Sequence, residues 1–254
     1  MKILLLFLVF GAHMLSAATK DVKTIHVYVA LCDNVNQGIA PVPEQIGNGQ
    51  NPFHNLYWGA GYGLKTYFKK SKDWSLIRIV KDVDSLILER VLFKHKKSGT
   101  YLLADAYDGA YIKQTTIDFL EASAGRNGFQ INDGDTQLCF GGDANLLSYI
   151  GHNGLMEFDV NGAFSQPSTN KIETIILACY SKHYFSKYLK QTNAIPLLWT
   201  SHLMAPEAYT LKYAIDGWIN KEKNTKIAER AALAYHKYQR CGINAARKLL
   251  VTGF

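Results

Sequence analysis

Two short apolar runs constrain this chain more than any other feature. One is Leu146-Leu147-Ser148-Tyr149-Ile150-Gly151, followed by His152-Asn153-Gly154; the other is Thr174-Ile175-Ile176-Leu177-Ala178, followed by Cys179-Tyr180-Ser181. Apolar runs of this length, bounded by turn residues, read as strands buried on both faces, the habit of parallel sheets. Such a sheet needs helices over each face, so the expected class is α/β. In an open parallel sheet, functional groups gather beyond the carboxyl ends of the strands. If these two strands are neighbours, an imidazole and a thiol arrive at one edge, and that pairing can form a Cys–His nucleophile.

The rest of the pattern alternates strands with helices. Residues 22–31, with Ile25, Val27 and Val29, read as the first strand; residues 35–55, rich in Gly, Pro, Asn and Gln, read as a long loop leaving its carboxyl end. Residues 56–70 read as a helix whose first turn is weakened by Gly59, Gly61 and Gly63. Residues 74–80 form a second strand, and 85–93 and 101–106 a hairpin about the turn at 94–99. Residues 111–122 are an amphipathic helix and 127–145 a glycine- and aspartate-rich loop. After the two diagnostic runs come a helix over 183–190, a strand over 195–200, a helix over 205–219 with Pro206 in its first turn, and a long Ala-rich helix over 223–250 with Gly242 as a point of interruption. This order predicts a three-layer α/β/α sandwich with a mostly parallel sheet. Residues 19–204 make the core, and 205–254 a C-terminal helical segment packed on the same domain.

Lys2, the apolar stretch 3–15 and the small residues Ser16-Ala17-Ala18 have the form of a signal peptide cleaved after Ala18. A secreted or periplasmic mature chain is therefore expected, with no later stretch long and apolar enough for a membrane helix. The formal charge is +7, but the basic residues are scattered or cluster on helices, as in Lys65, Lys69, Lys70 and Lys72, with no stacking aromatic pattern. They read as a solvated helix face, and no nucleic-acid partner is expected. The four cysteines, Cys32, Cys139, Cys179 and Cys241, permit two disulfides in an oxidising compartment. Cys32 and Cys139 both border the expected edge and are a candidate pair, although connectivity does not follow from sequence. No C-x-x-C or H-x-x-x-H spacing, no Walker-type loop and no G-x-S-x-G occurs, so neither a metal nor a cofactor is expected, nor a serine hydrolase elbow.

Taken together, these residues resemble the caspase-like cysteine peptidases, the group that holds caspases, legumains, gingipains and clostripain. That family has a hydrophobic strand ending in His-Gly, then one ending in Ala-Cys or Gln-Cys. The matching positions are Tyr149-Ile150-Gly151-His152 and Ile175-Ile176-Leu177-Ala178-Cys179, and residues 22–201 follow the family's organisation. The chain departs from it in placing Asn153 between His152 and Gly154, and Tyr180 directly after Cys179. The resemblance implies a caspase-like fold in an exported bacterial protein, a cysteine peptidase acting on peptide or protein substrates. Cys179 would be an unpaired nucleophile, His152 the proton shuttle, and the backbone amides of Gly154 and Cys179 the oxyanion donors. A catalytically inactive secreted binding protein of the same fold is the alternative.

Each residue also has an ordinary reading. Cys179 can be a small buried hydrophobe or half of a disulfide, and His152 a turn residue in a His-Asn-Gly corner. Gly154 can serve that turn alone. Asp33, at the end of the first strand, reads as an Asx turn, with the charged floor of a specificity pocket as the alternative. Trp199 is either core or the wall of a substrate groove. His183 and His202 are rival proton donors that read as surface residues.

Overall fold

A computed structural model of the chain describes residues 22–162, 164 and 171–254. The expected signal at residues 1–18 lies outside the described residues. The first half of the described chain holds β1 (Thr24–Ala30), α1 (Leu64–Lys70), β2 (Trp74–Lys81), β3 (Ile87–His95), β4 (Tyr101–Tyr107) and α2 (Ile112–Ser123). A hairpin of β5 (Phe129–Asp133) and β6 (Thr136–Phe140) follows, then β7 (Leu146–Gly151), β8 (Glu173–Leu177), α3 (Ser181–Thr192) and β9 (Ile195–Thr200). The chain closes with α4 (Ala208–Ile219), α5 (Asn224–Gln239), α6 (Ile243–Leu249) and β10 (Leu250–Val251).

Eight strands form one sheet in the order β10-β9-β8-β7-β1-β4-β3-β2. The pairings β9–β8, β8–β7, β7–β1 and β1–β4 are parallel, while β2, β3 and β10 add antiparallel edges. Every residue of β1 is buried, so both of its faces are covered. Side-chain alternation divides the core accordingly. Ile25, Val27 and Val29 meet Leu64 and Phe68 of α1, Leu211 and Ile215 of α4 and Ile227 of α5. Tyr28 and Ala30 point the other way, toward Phe119 of α2 and Phe185 of α3. Helices therefore cover both faces of a mostly parallel α/β sheet. Parallel crossovers keep one hand, so reversing their direction along the sheet changes the face their helix occupies. The chain leaves β1 through α1 toward β2, then returns past β1 through α2 to β7 and through α3 to β9. This reversal leaves α1 on one face and α2 and α3 on the other.

A buried charged cluster sits within the central sheet. Asp105 on β4 is fully buried and takes Nε and Nη2 of Arg90 at 2.6 and 2.7 Å, and Nε2 of His26 at 3.0 Å. The Gly141 amide donates to His26 Nδ1 at 3.2 Å, so His26 carries its proton on Nε2. These bonds also fasten the β5–β6 hairpin, which follows α2, against the central strands.

Several expectations change here. Residues 127–145 are not plain loop but contain the β5–β6 hairpin, whose Leu138 and Phe140 pack on Leu92, Tyr101 and Leu103. Its two-residue turn is Gly134-Asp135, between the paired Asp133 and Thr136, with Gly134 at φ 59, the positive φ that glycine supplies at the first position of such a turn. The helix expected over 56–70 begins only at Leu64, because the Asn55 carbonyl accepts from the amides of Trp58, Gly59 and Ala60 and winds that stretch into turns. The helix expected over 223–250 is interrupted beside Gly242 as expected, with Arg240 left-handed at φ 53 and Gly242 at φ 86, but its last residues also turn back to pair with β9. The helix expected from 205 begins at Ala208, which leaves Ala205 and Pro206 in the preceding loop.

The candidate Cys32–Cys139 bridge is also overturned, since all four cysteines are free. Cys32 follows the carboxyl end of β1, whereas β6 lies by His26 near the opposite end of that strand. On the hairpin, Leu138 and Phe140 turn inward and Cys139, between them, points away.

The Asp105 cluster yields a pH prediction. Burial pushes the Asp105 carboxyl up, but Arg90 and His26 together hold it below the ordinary carboxylate value. Its charge therefore stabilises the fold above the unfolded value of about 3.9, and that contribution is lost as the pH falls through the lower folded value. Asp105→Asn is expected to cost about 3–5 kcal/mol at neutral pH, by leaving Arg90 without its partner, and to flatten the dependence of Tm on pH below about pH 4. Thermal unfolding of both proteins across that range checks both effects.

Candidate active site

The sheet edge formed by the carboxyl ends of β1, β7, β8 and β9 is where the loops converge. β7 and β8 run parallel up to Ile150 opposite Leu177, and His152 and Cys179 each follow two residues beyond that last pair. The chain's direction along the sheet reverses between β1 and β7, the place where open α/β sheets form a crevice. A cavity of about 400 Å³ lies there. Gly151, His152 and Met156 line it after β7, and Cys179 after β8. The loop after β1 contributes Ile39, Val42, Leu56 and Tyr57, and the segment after β9 contributes Leu203, Met204, Pro206 and Glu207. The walls are mostly apolar, with His152, Cys179 and Glu207 as the chemical exceptions.

Each strand end is held in place by specific bonds. Gly151 has φ 139, and a Cβ there would come within 2.5 Å of the Ala30 carbonyl oxygen, so glycine lets the end of β7 lie against β1. The His152 carbonyl accepts from the Tyr149 hydroxyl at 2.9 Å. Asn153 is fully buried and bridges the two strand ends. Its Nδ2 donates to the Cys179 carbonyl at 2.6 Å, and its Oδ1 accepts from the Leu155 amide at 3.1 Å. Past Cys179, Tyr180 is left-handed at φ 50 and caps the start of α3, with its amide donating to the His202 carbonyl at 2.9 Å. Ser181 and Thr200 lock this turn to β9: Ser181 Oγ donates to the Ile176 carbonyl at 2.9 Å, and the Thr200 amide to Ser181 Oγ at 2.9 Å.

His152 is buried, and its Nε2 bonds to the carboxylate of Glu157. The same Glu157 oxygen accepts from the Gly38 amide at 2.8 Å, which couples the long loop after β1 to the imidazole. Among the described residues nothing bonds Nδ1 of His152, which leaves that nitrogen for a thiol or a substrate. Cys179 Sγ lies 3.5 Å from the Met204 carbonyl oxygen and 3.4 Å from its amide nitrogen. Glu207 is largely buried; its Oε2 accepts from the Tyr209 hydroxyl at 2.9 Å and from Gln239 Nε2 at 3.2 Å, and burial raises its carboxyl above the ordinary value.

The other sequence candidates lie elsewhere. Asp33 does not line the cavity; its carboxylate accepts from the amides of Val35 and Asn36 and the side chains of Asn36 and Gln50, the Asx-turn arrangement. Trp199 is core, on the face covered by α2 and α3, with Nε1 donating to the Gly253 carbonyl at 3.0 Å. Gly154 starts a 3₁₀ turn after Asn153 and packs beneath the Phe158 ring, while Gly38 and Gly151 line the cavity. His183 and His202 are exposed, and neither lines the cavity. Among the described residues no cluster of His, Cys, Asp and Glu could hold a metal ion, and no helix is long and apolar enough to cross a membrane.

Sequence reasoning missed Glu157 and Glu207. Glu157 follows His152 by a single short turn, and that closeness is a usable signal. Glu207 reads from sequence only as a residue at a helix start. Comparison with family models, curated proteins and solved structures finds no match to this chain.

Two measurements check the site's geometry. Asn153→Ala leaves the buried Cys179 carbonyl unpaired and is expected to cost about 1–3 kcal/mol in denaturant unfolding. Alkylation under non-reducing conditions is expected to modify all four cysteines once the chain is unfolded. In the folded protein Cys32 should react slowest, because burial pushes its thiol up to about 11. A disulfide-linked peptide pair in the map would contradict this.

Proposed function

We propose that this chain is an exported thiol hydrolase of the caspase-like type that cleaves peptide bonds with Cys179 as nucleophile and His152 as proton carrier. One observation carries the reading: His152 and Cys179 leave neighbouring parallel strands at the same edge and line the same cavity. The order His before Cys and the helices on both faces of the sheet support the caspase-like reading. The apolar segment with small residues at 16–18 supports export.

In this mechanism the Cys179 thiol passes its proton to His152, and sulfur attacks the carbonyl carbon of the scissile peptide. The carbonyl oxygen takes the negative charge, which the backbone amides of Cys179 and the His152–Gly154 turn would receive. The C–N bond then breaks as the imidazolium returns its proton to the leaving amine, giving a thioester. Water, deprotonated by His152, hydrolyses the thioester and restores the thiol. Glu157 is a positioning residue, because its carboxylate on Nε2 orients the ring.

A second reading has one observation behind it. The Cys179 thiol bonds to the Met204 carbonyl rather than to the imidazole, as it would in an inactive peptide-binding protein of the same fold. One set of variants separates the two. Cys179→Ala is expected to abolish hydrolysis of a peptide library with the fold retained, and His152→Ala to reduce it by about 10²–10⁴-fold. The double variant should be no worse than Cys179→Ala, because nucleophile and base act as a unit. His183→Ala and His202→Ala should keep most of the activity. Hydrolysis that survives Cys179→Ala refutes the thiol mechanism. A parent protein that neither turns over peptides nor reacts with a thiol-directed peptide probe is the binding protein.

A further inference from the structure

We infer that the cavity beside Cys179 takes the side chain of a substrate lysine, with Glu207 receiving its ammonium group. The inference rests on the thiol-hydrolase reading above and names the substrate class of that site. The walls, among them Ile39, Val42, Leu56, Met156 and Pro206, suit an aliphatic stem, and about 400 Å³ leaves room for a long side chain. Glu207 is the only carboxylate among the residues that line the cavity. Glu207, Cys179 and Tyr57 all line the cavity, so thiol and carboxylate face one space.

Several buried or partly buried carboxylates here carry a cation, while Asp118 and Glu173, held by neutral donors, lie outside the cavity. Glu89 pairs with Lys65, Asp105 with Arg90, and Asp216 with Lys212. No lysine or arginine among the described residues pairs with Glu207. A carboxylate kept largely from water without a counterion is costly, and a ligand cation removes that cost. Asp33, the other acidic group near this edge, is occupied by four donors and lies off the cavity.

The hydrogen bonds of Glu207 further favour lysine over arginine. Both the Tyr209 and Gln239 bonds fall on Oε2, which leaves Oε1 as the oxygen without a bond from the described residues. A single oxygen suits a compact ammonium donor. A guanidinium fork is best matched by two free oxygens.

The test is a panel of thiol-directed peptidyl ketones, identical except for lysine, arginine, norleucine or glutamate beside the reactive group. The labelling rate of Cys179 in the full chain is read by intact mass. Lysine is expected to label fastest, roughly tenfold or more above norleucine, as befits a charged hydrogen bond, with arginine below lysine and glutamate slowest. Glu207→Gln keeps a side chain that Tyr209 and Gln239 can still bond, and it should bring the lysine-to-norleucine ratio close to one. Equal labelling of Cys179 across the panel overturns the lysine assignment and leaves the hydrolase reading standing. A lysine preference that persists in a folded Glu207→Gln protein overturns it too. If that variant fails to fold, the ratio in the parent protein decides. No labelling of Cys179 by any member overturns the hydrolase reading and this inference with it.

Discussion

Complete burial of β1 is the constraint on which the rest of the structure depends. A strand with no exposed residue must be hydrogen-bonded on both edges and covered on both faces, since an unpaired buried backbone group costs about as much as a lost hydrogen bond. β4 and β7 satisfy the edges, and two helical layers satisfy the faces. Because crossovers keep one hand, covering both faces requires the chain to reverse direction along the sheet. That reversal opens the crevice at the carboxyl ends, so the site is a by-product of burying the centre.

The crevice is then made rigid by polar groups that would be liabilities in isolation. Asn153 is fully buried, yet its amide spends itself on the Cys179 carbonyl and the Leu155 amide. Ser181 and Thr200 fix the far side of the turn, and Tyr180 holds a left-handed conformation of the kind that costs about 1–3 kcal/mol and persists only where its surroundings enforce it. Glu157 joins the loop after β1 to His152 through one oxygen. The imidazole and the thiol are thus set by three elements that share no local sequence. This is the preorganisation that a nucleophilic site, or a selective binding site, requires.

How much of this is legible before folding depends on how local each signal is. The strands ending at His152 and Cys179 can be read because a run buried on both faces needs no partner to show its composition. The same holds for β9, whose expected range of 195–200 is the observed one. The β5–β6 hairpin carries its Gly134-Asp135 turn and a short alternation of Phe129 and Ile131 with Gln130 and Asn132, but strands of five residues beside a glycine-rich stretch resemble loop, and only the contacts with Leu92 and Tyr101 fix them against the sheet. Gly242 marks the break in the long C-terminal helix, but nothing in the Ala-rich pattern around it shows that the final residues, Leu250 and Val251, pair with β9.

Sequence by itself determined the α/β class, the His and Cys strand ends, and the exposed character of His183 and His202. These follow from hydrophobic pattern and turn chemistry, which act over a few residues. Tertiary structure decided that β7 and β8 are parallel neighbours, that Asp33 turns into its own loop and that Trp199 belongs to the core. It also decided that Glu157 reaches His152 and that Glu207 enters the cavity wall. Those placements rest on strand order and on the fixed hand of crossovers, which bring together side chains from separate loops. No local pattern records which loops will meet.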